Sequence, residues 1–254
     1  MSIISSSAHS TDSGFYDFSI EQSLRFDGGY LSRTPSSASN QKTWTWSGWV
    51  KKSKLDARQA FFSSSSGSGL DDNNHLQFGF QNDNTLQLGL YTEYVLVTNQ
   101  VFQDLSAWYH FVISFDTPNS TVADRLKIYL NGERIVSFST DSISSAISAD
   151  TAYAINLGQA HYIGTILPSD STFGGYMAEI NFLDGYVPTT SNGGLDSSGN
   201  LQVLGETKNS VWIPKDPSGL NYGSNGFRLN FSDATSTTTL GYDSSGNSNH
   251  WTLN

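Results

Sequence analysis

The chain has 254 residues, of which 37% are hydrophobic and 13% aromatic, so it can form one large β domain or two small ones. The 13 basic and 23 acidic residues give a net charge of −10, and no basic cluster is larger than Lys51, Lys52 and Lys54, which excludes binding to a nucleic-acid backbone. The absence of cysteine excludes disulfide bonds and thiolate metal sites.

Residues 1–22 are a polar, serine-rich start with an aromatic patch at Phe15, Tyr16 and Phe18. We interpret this stretch as a short N-terminal arm or docking segment ahead of the folded domain. It lacks the basic start and apolar core of a signal peptide, and no apolar run approaches the roughly 20 residues that span a bilayer. We therefore expect no membrane insertion. If the protein acts outside a cell, we expect it to leave by lysis or a dedicated route.

Short alternating or aromatic runs, separated by Gly, Asn, Asp and Ser, follow from Ser23 to Val187 and predict β-strands. Asn131-Gly132 within YLNGERIV predicts a tight hairpin turn, because both residues tolerate positive φ angles. No stretch shows a clear helical period, although SISSAISADTAYAI has room for one short helix. The sequence therefore predicts an all-β fold, an antiparallel jelly-roll sandwich of two sheets.

The stretch KTWTWSGWVKK divides its tryptophans between the two faces of a predicted strand, because successive side chains point to opposite sides. Trp44, Trp46 and Val50 share one face, and we predict that this face is core. Trp49 lies on the other face. Its two interpretations are packing under a loop and a stacking surface for a sugar ring, shared with Tyr91 or Tyr94. Trp108 in AWYHF is interpreted as structural.

From residue 188 the sequence becomes rich in turns, and we separate a loop-rich segment, 188–225, from a tail, 226–254. The pentamer DSSGN begins at Asp196 and again at Asp243, and we interpret both copies as Asx-type turns. In the tail, Phe227, Leu229 and Phe231 alternate with polar residues, which predicts a strand with one buried face. We expect the tail to pair into the sandwich as a closing strand.

Five stretches in chain order resemble the concanavalin-A-like superfamily, in particular its laminin-G-like and pentraxin-like branch: LRFDGGYLSR, WTWSGWVK, AWYHFVISFD, LKIYLNGERI and GGYMAEINFLDGYV. The resemblance runs over residues 23–187 and implies a concanavalin-A-like core there, within a sandwich domain of residues 23–254. The whole chain, including LGYDSSGNSNHWT, also resembles virion proteins of marine bacteriophages. That resemblance implies a structural or receptor-binding role on a phage particle.

The residues do not suggest an enzyme. Some members of the superfamily hydrolyse glycans with a Glu-x-Asp-x-x-Glu motif, and none of the five glutamates of this chain lies in such a pattern. Glu179 falls where the binding-only branch commonly has an acidic residue, and we interpret it as structural. The five histidines show no metal-binding spacing, and His110, between aromatic residues of a predicted strand, is interpreted as a hydrogen-bonded core histidine.

The resemblance raises the question of whether the chain has a calcium site. Asp72-Asn73 in LDDNNHLQF matches an Asp-Asn pair that supplies calcium ligands in pentraxin-like relatives. The acidic cluster of those relatives is missing here, where residues 160–162 are Ala-His-Tyr, although Asp170 lies in the following loop. Calcium requires six to eight oxygen ligands. We therefore expect no cofactor and no tight calcium site, with Asp72 and Asn73 as weak candidates.

The sequence favours a non-enzymatic phage virion protein, a capsid decoration or tail-fibre component, that displays a lectin-like sandwich on the particle surface after assembly in the host cytoplasm. Expected partners are other virion proteins through the N-terminal arm, a host-surface glycan and further copies of the chain. The alternative is a glycan-binding module of a bacterial surface adhesin or extracellular enzyme. The glycan-binding candidates are Trp49, Tyr91, Tyr94, Tyr162 and Asp170.

Overall fold

A computed structural model describes residues 16–254, so Phe15 and the rest of residues 1–15 of the predicted arm lie outside the described part. The described residues form strands, one helix and two 3₁₀ turns, at Val122–Asp124 and Thr239–Gly241. The strands and the helix are, in chain order, β1 (Leu24–Asp27), β2 (Leu31–Arg33), β3 (Thr43–Lys52), β4 (Gln59–Ser65), β5 (His75–Phe80), β6 (Thr85–Leu90), β7 (Tyr94–Val101), β8 (Tyr109–Asp116), β9 (Leu126–Leu130), β10 (Glu133–Arg134), β11 (Phe138–Asp141), α1 (Ile143–Ala146), β12 (His161–Ile163), β13 (Gly174–Asp184), β14 (Gly205–Lys208), β15 (Val211–Pro214), β16 (Phe227–Leu229) and β17 (Thr252–Leu253).

Two large antiparallel sheets form the sandwich, which confirms the predicted all-β, concanavalin-A-like fold. Sheet I has seven strands in the order β1-β13-β3-β8-β9-β10, and β16 also pairs with β13. Sheet II has eight strands in the order β11-β7-β6-β5-β4-β12-β2-β17. A separate hairpin, β14–β15, completes the strands of the described residues.

The core between the sheets is aromatic, as the alternation in β3 predicts. Trp44, Trp46 and Val50 have no exposed surface. Trp44 stacks on Phe115 of sheet I with ring centroids 4.9 Å apart, and Trp46 meets Phe78 of sheet II edge-to-face at 5.0 Å. Rings from both sheets therefore interlock, and aromatic burial of this kind is among the largest contributions to the stability of a core.

The local predictions about turns and helix hold as well. Asn131 and Gly132 both have positive φ angles, 48° and 85°, in the two-residue turn between β9 and β10. The only helix of the described residues is α1, with four residues, and no helix there is long and apolar enough to cross a membrane. Both DSSGN copies are Asx turns: the carboxylate of Asp196 accepts from the backbone N–H of Ser198, and that of Asp243 from the N–H of Ser245.

The loop-rich segment 188–225 covers the outer face of sheet I. A second apolar cluster forms there between sheet residues and this segment, and Trp212 of the β14–β15 hairpin packs against it. The cluster comprises Val112, Tyr129, Leu183, Leu201, Val203, Leu204 and Tyr222.

The tail contributes a strand to each sheet. β16 pairs with Ile180–Phe182 of β13, on the edge where β1 pairs with the other end of the same strand. β17 pairs with β2 at the edge of sheet II. Phe227, Leu229 and Trp251 are all at most 3% exposed, so the apolar face of the tail is buried in the main core.

Candidate functional site

Sheet II is buried on both faces in its central strands, and its outer face is polar. In β5 and β6, Leu and Phe side chains alternate toward the core, so the residues between them point to the outer face. We call this surface the polar face. It consists of His75, Gln77 and Gln87 from the strands, with Arg58, Tyr91, Tyr94 and Asp170 from the neighbouring loops and strand end.

The two glutamines come together through the pairing of β5 with β6. Gln77 lies opposite Gly89, and Gln87 lies opposite Gly79. Gly89 leaves room beside them: a Cβ atom at this residue would lie 3.1 Å from Oε1 of Gln87 and 3.1 Å from Cδ1 of Tyr94. The Tyr94 ring and the Gln87 amide therefore meet above a glycine, next to Gln77.

Both glutamines carry a buried acceptor without a donor. Gln77 is 4% exposed and Gln87 is 1% exposed, and Oε1 of each has no hydrogen-bond partner among the described residues. A buried polar atom left unpaired costs about 1–3 kcal/mol. Such atoms are expected where a ligand or an ordered water supplies the missing partner.

Arg58 adds a donor to the same face. Its guanidinium carbon lies 5.9 Å from the centre of the Tyr94 ring, and its Nε is buried without an acceptor in the described part of the chain. The two tyrosines beside it are accessible, since Tyr91 is 52% and Tyr94 41% exposed. The polar face thus combines acceptors, a charged donor and two exposed aromatic rings.

His75 connects β5 to Tyr91, which together with Tyr94 forms the exposed edge of the polar face. We call this edge the rim. Its Nδ1 lies 3.2 Å from the hydroxyl of Ser65, and its ring contacts that of Tyr91 at 6.0 Å. Burial lowers the pKa of His75, and the positive charge of Arg58 lowers it further, while Asp170 and Asp72 partly oppose both effects. His75 is therefore neutral at pH 7.

Asp72 supports the rim through hydrogen bonds from the loop that carries Tyr91. One carboxylate oxygen accepts from the backbone N–H of Thr92 at 2.8 Å and the other from its hydroxyl at 2.7 Å. Asn73 lies beside it, in a turn where its N–H donates to Asp71. Residues 16–254 contain no group of three or more His, Asp or Glu placed to hold a metal ion. The hydrogen bonds from Thr92 to Asp72 fix the loop that carries Tyr91.

Tyr162 lies on the outer face of sheet II but apart from the glutamines. Ser63 lies between them, because it is the register partner of both Tyr162 and Gln77. The Ser63 hydroxyl donates to the carbonyls of Thr165 and Ile166, so the backbone of that loop stands between the two sides. Tyr162 instead contacts Tyr30, with ring centroids 6.0 Å apart.

Trp49 points to the outer face of sheet I, so it cannot share a stacking surface with Tyr91 or Tyr94, which was one of its two interpretations. These tyrosines lie on the other side of the sandwich. The Trp49 ring stacks on His110 with centroids 4.8 Å apart, and it lines a pocket of about 380 Å³ together with Phe18 and Trp108. The alternation in β3 correctly predicted the face of the strand on which Trp49 lies. It did not predict that Tyr91 and Tyr94 belong to the other sheet.

The remaining residues weighed for catalysis have structural partners. Glu179 is 5% exposed and forms an ion pair with Arg228, whose Nε lies 2.5 Å from its carboxylate. His110 is buried beneath the β14–β15 hairpin, where Ser47 and Trp212 contact its two ring nitrogens. The prediction of a hydrogen-bonded histidine is confirmed, although it lies outside the main core.

The sequence contains a signal for the two glutamines, although it was not among the predicted site features. β5 and β6 share the pattern Leu-Gln-apolar-Gly-apolar, as LQFGF in one strand and LQLGL in the next. Its alternation places a glutamine and a glycine on the face opposite the core in both strands. Arg58 carried no comparable signal, because it comes from the loop before β4.

Comparison with known proteins identifies the family by sequence and adds distant structural similarities. Residues 27–189 match the family described as the concanavalin A-like lectin/glucanases superfamily. No curated protein matches the chain.

Three solved structures illustrate the structural similarities. A candidate carbohydrate-binding protein from Bacteroides ovatus has 15% identity over 91% of this chain and 57% of its own length, with a TM-score of 0.49. A heptameric pentraxin from Limulus polyphemus has 16% identity over 76% of this chain and 91% of its own, with a TM-score of 0.44. Domain 4 of an extracellular arabinanase from Geobacillus stearothermophilus, solved with arabinotriose, has 18% identity over 69% of this chain and 76% of its own, with a TM-score of 0.45. Similarity this low assigns no function.

Proposed function

Because the chain belongs to the concanavalin A-like lectin/glucanases superfamily, we propose that it is a non-catalytic protein that binds a glycan on the polar face of sheet II. The observation that carries this proposal is the pair of buried, unpaired amide oxygens of Gln77 and Gln87. Sugar hydroxyls are donors, and two adjacent buried acceptors beside the exposed rings of Tyr91 and Tyr94 suit them. A buried position that only had to be stable would carry an apolar residue.

The rim of the polar face supports the same function. Tyr91 and Tyr94 present partly exposed rings beside the glutamines. An aromatic ring offers a flat apolar surface and a hydroxyl, and both match the mixed surface of a sugar. Asp72 holds the Tyr91 loop in place through Thr92, so this part of the rim is fixed before a ligand arrives.

The absence of catalysis is part of the proposal and rests on the hydrogen-bond partners of three carboxylates, those of Asp72, Asp170 and Glu179. Glycoside hydrolysis requires two carboxyl groups across the scissile bond. Near the polar face the carboxylate of Asp72 is occupied by Thr92, and that of Asp170 accepts from Ser171. Glu179 is buried in sheet I and paired with Arg228.

We further propose that the protein acts on the surface of a bacteriophage particle, as a capsid decoration or tail-fibre component. The support for this setting is the resemblance of long stretches of the sequence to phage virion proteins, from LSRTPSSASNQKTWTWSGWVK to the DSSGN tail. Immunogold labelling and mass spectrometry of purified particles test it. Absence of the protein from intact particles would leave the alternative, a glycan-binding module of a bacterial adhesin or extracellular enzyme.

The binding proposal is tested with Gln87→Leu on a glycan array and by calorimetry with the best ligand. Leucine has a similar volume and removes the unpaired acceptor, so we expect an unchanged or higher melting temperature together with a loss of binding. Gln103→Ala, at an exposed glutamine in the loop after β7, is the matched control. Full affinity in Gln87→Leu would show that the amide has no role in binding. A large fall in its melting temperature would show that the amide stabilises the fold and would overturn the argument from an unpaired acceptor.

A further inference from the structure

One arginine differs from all the others in the chain. All six arginines lie within the described residues, and Arg58 is the only one whose guanidinium has neither a hydrogen bond nor an ion pair there. Its Nε is nevertheless buried. The other five each have at least one polar partner: Arg25, Arg33, Arg125, Arg134 and Arg228.

The surroundings of Arg58 contain acidic residues that do not neutralise it. Asp72 and Asp170 lie close enough to influence His75, as Arg58 does. Neither is among the ion pairs of the described residues. Asp72 instead accepts hydrogen bonds from Thr92, and Asp170 accepts one from Ser171. In a chain with a net charge of −10, an arginine without an acidic partner is unexpected.

The polar face therefore has both unpaired hydrogen-bond acceptors and unpaired hydrogen-bond donors. Gln77 and Gln87 each present an acceptor, and Arg58 presents charged donors beside Tyr94. Water or a neutral sugar can donate hydrogen bonds to the amide oxygens through its O–H groups. A guanidinium is matched best by an anion, because its planar fork makes two parallel, charge-assisted hydrogen bonds to a carboxylate or a similar oxyanion.

We infer that the glycan bound on the polar face is acidic, with a carboxylate or sulfate held by Arg58 and hydroxyl groups donating to Gln77 and Gln87. This inference rests on the proposed glycan-binding function and specifies its ligand class. No hydrogen bond or ion pair within the described residues holds the guanidinium, so Arg58 can pair with an anion without losing either kind of bond. The Tyr94 ring, whose centre lies 5.9 Å from the guanidinium carbon, supports the cation.

The test uses matched pairs of acidic and neutral saccharides. Oligogalacturonate is compared with its methyl ester, and a sulfated galactan oligosaccharide with its desulfated form, by calorimetry on the full chain. We expect at least one acidic member to bind about tenfold or more tightly than its neutral counterpart, with the preference falling as salt is added. The two pairs distinguish a carboxylate ligand from a sulfate ligand.

Arg58→Met keeps the apolar part of the side chain and removes the charge, so we expect it to abolish the preference while affinity for the neutral form changes less than about twofold. Arg58→Lys should retain part of the preference, because the charge remains and the planar fork is lost. Arg25→Met is the control, since Arg25 is exposed on an edge strand of sheet I.

The outcomes separate the two proposals. Equal wild-type affinity for acidic and neutral members, or an equal loss of both in Arg58→Met, would overturn the acidic ligand and leave glycan binding in place. Binding to no member of the pairs, and to no acidic or neutral glycan on an array, would overturn both proposals. Melting temperatures of the variants within a few degrees of wild type establish that the differences come from the site.

Discussion

The indole Nε1 of Trp212 donates a hydrogen bond of 3.0 Å to Nδ1 of His110, and the two rings stack with centroids 5.8 Å apart. Since an indole N–H can only donate, Nδ1 of His110 must be unprotonated. The proton of the neutral ring is then on Nε2, which lies 2.8 Å from the hydroxyl of Ser47. This contact ties the β14–β15 hairpin to the outer face of sheet I and requires a neutral histidine.

The first prediction is that the free energy of unfolding falls at acidic pH because two histidines are buried in the folded state. Burial lowers the pKa of His110 to about 3 and that of His161 to about 4. In the unfolded chain both protonate near pH 6.5, so the unfolded state gains protons first and the free energy of unfolding falls as the pH drops below 6.5. Urea midpoints between pH 7.5 and 5 measure this fall. His110→Gln should make it shallower, and an unchanged slope would contradict the assignment.

The second prediction concerns Lys52, which is 1% exposed. Its Nζ donates to Oδ1 of Asn84 at 2.8 Å and to the carbonyl of Phe102 at 3.0 Å, and it lies 4.2 Å from the ring centre of Phe80. Burial lowers the pKa of Lys52 to about 8. Above pH 8 the folded state releases this proton while the unfolded state keeps it up to about pH 10.4, so stability should rise with pH.

Urea midpoints between pH 8 and 9.5 check the Lys52 prediction, because buried tyrosines with raised pKa values, such as Tyr129 at about 12, act in the opposite direction at higher pH. Lys52→Met removes the titrating group and should flatten the profile. A wild-type midpoint that stays constant or falls over this range would show that Lys52 keeps a normal pKa.

The third prediction is that the tail is required for folding. Phe227 is 2% exposed and contacts Phe182 and Trp251 at centroid distances of 5.6 and 4.9 Å. Phe227→Ala should lower the free energy of unfolding by about 3–5 kcal/mol, and deletion of residues 226–254 should give an insoluble or molten product. Thr237→Ala, at an exposed position of the tail, should have little effect. A soluble, cooperatively folding deletion variant would refute the prediction.

The fourth prediction separates the two faces of β3. Trp46→Ala truncates a core side chain with no exposed surface and should cost about 3–5 kcal/mol. Trp49→Ala should cost clearly less, because Trp49 is half-buried and packs mainly on His110. Chemical denaturation of both variants measures the difference. Trp49 and the polar face lie on opposite sides of the sandwich, so Trp49→Ala should also leave glycan affinity unchanged. A loss of binding in this variant would indicate that the glycan site lies on sheet I.

The fifth prediction is that micromolar calcium leaves the melting temperature unchanged. Both carboxylate oxygens of Asp72 already accept hydrogen bonds from Thr92, and calcium requires six to eight oxygen ligands. Thermal melts with calcium and with excess chelator check this, and Asp72→Asn serves as the control. A large rise that the chelator reverses would reveal a site built from other oxygens.

Local sequence rules were sufficient for much of the fold. Alternation identified Trp44, Trp46 and Val50 as core, and Asn131-Gly132 as a hairpin turn, because a strand has a period of two and a tight turn depends on two φ angles. The same alternation in Phe227 and Leu229 marked a buried strand at the far end of the chain. These properties depend on neighbours in the sequence, so the sequence by itself determined them.

The candidate site depended on strand order and register, which no local pattern encodes. Alternation could place Trp49 away from the core, but only the tertiary structure put it on sheet I and Tyr94 on sheet II. Gln77 and Gln87 become neighbours because β5 pairs with β6 in one particular register, and Arg58 comes from a separate loop to contact Tyr94 beside Gln87. The unpaired amide oxygens are a property of this burial. Contacts between strands and loops decided the site, because the free energy of sheet pairing and core packing is shared across the whole chain.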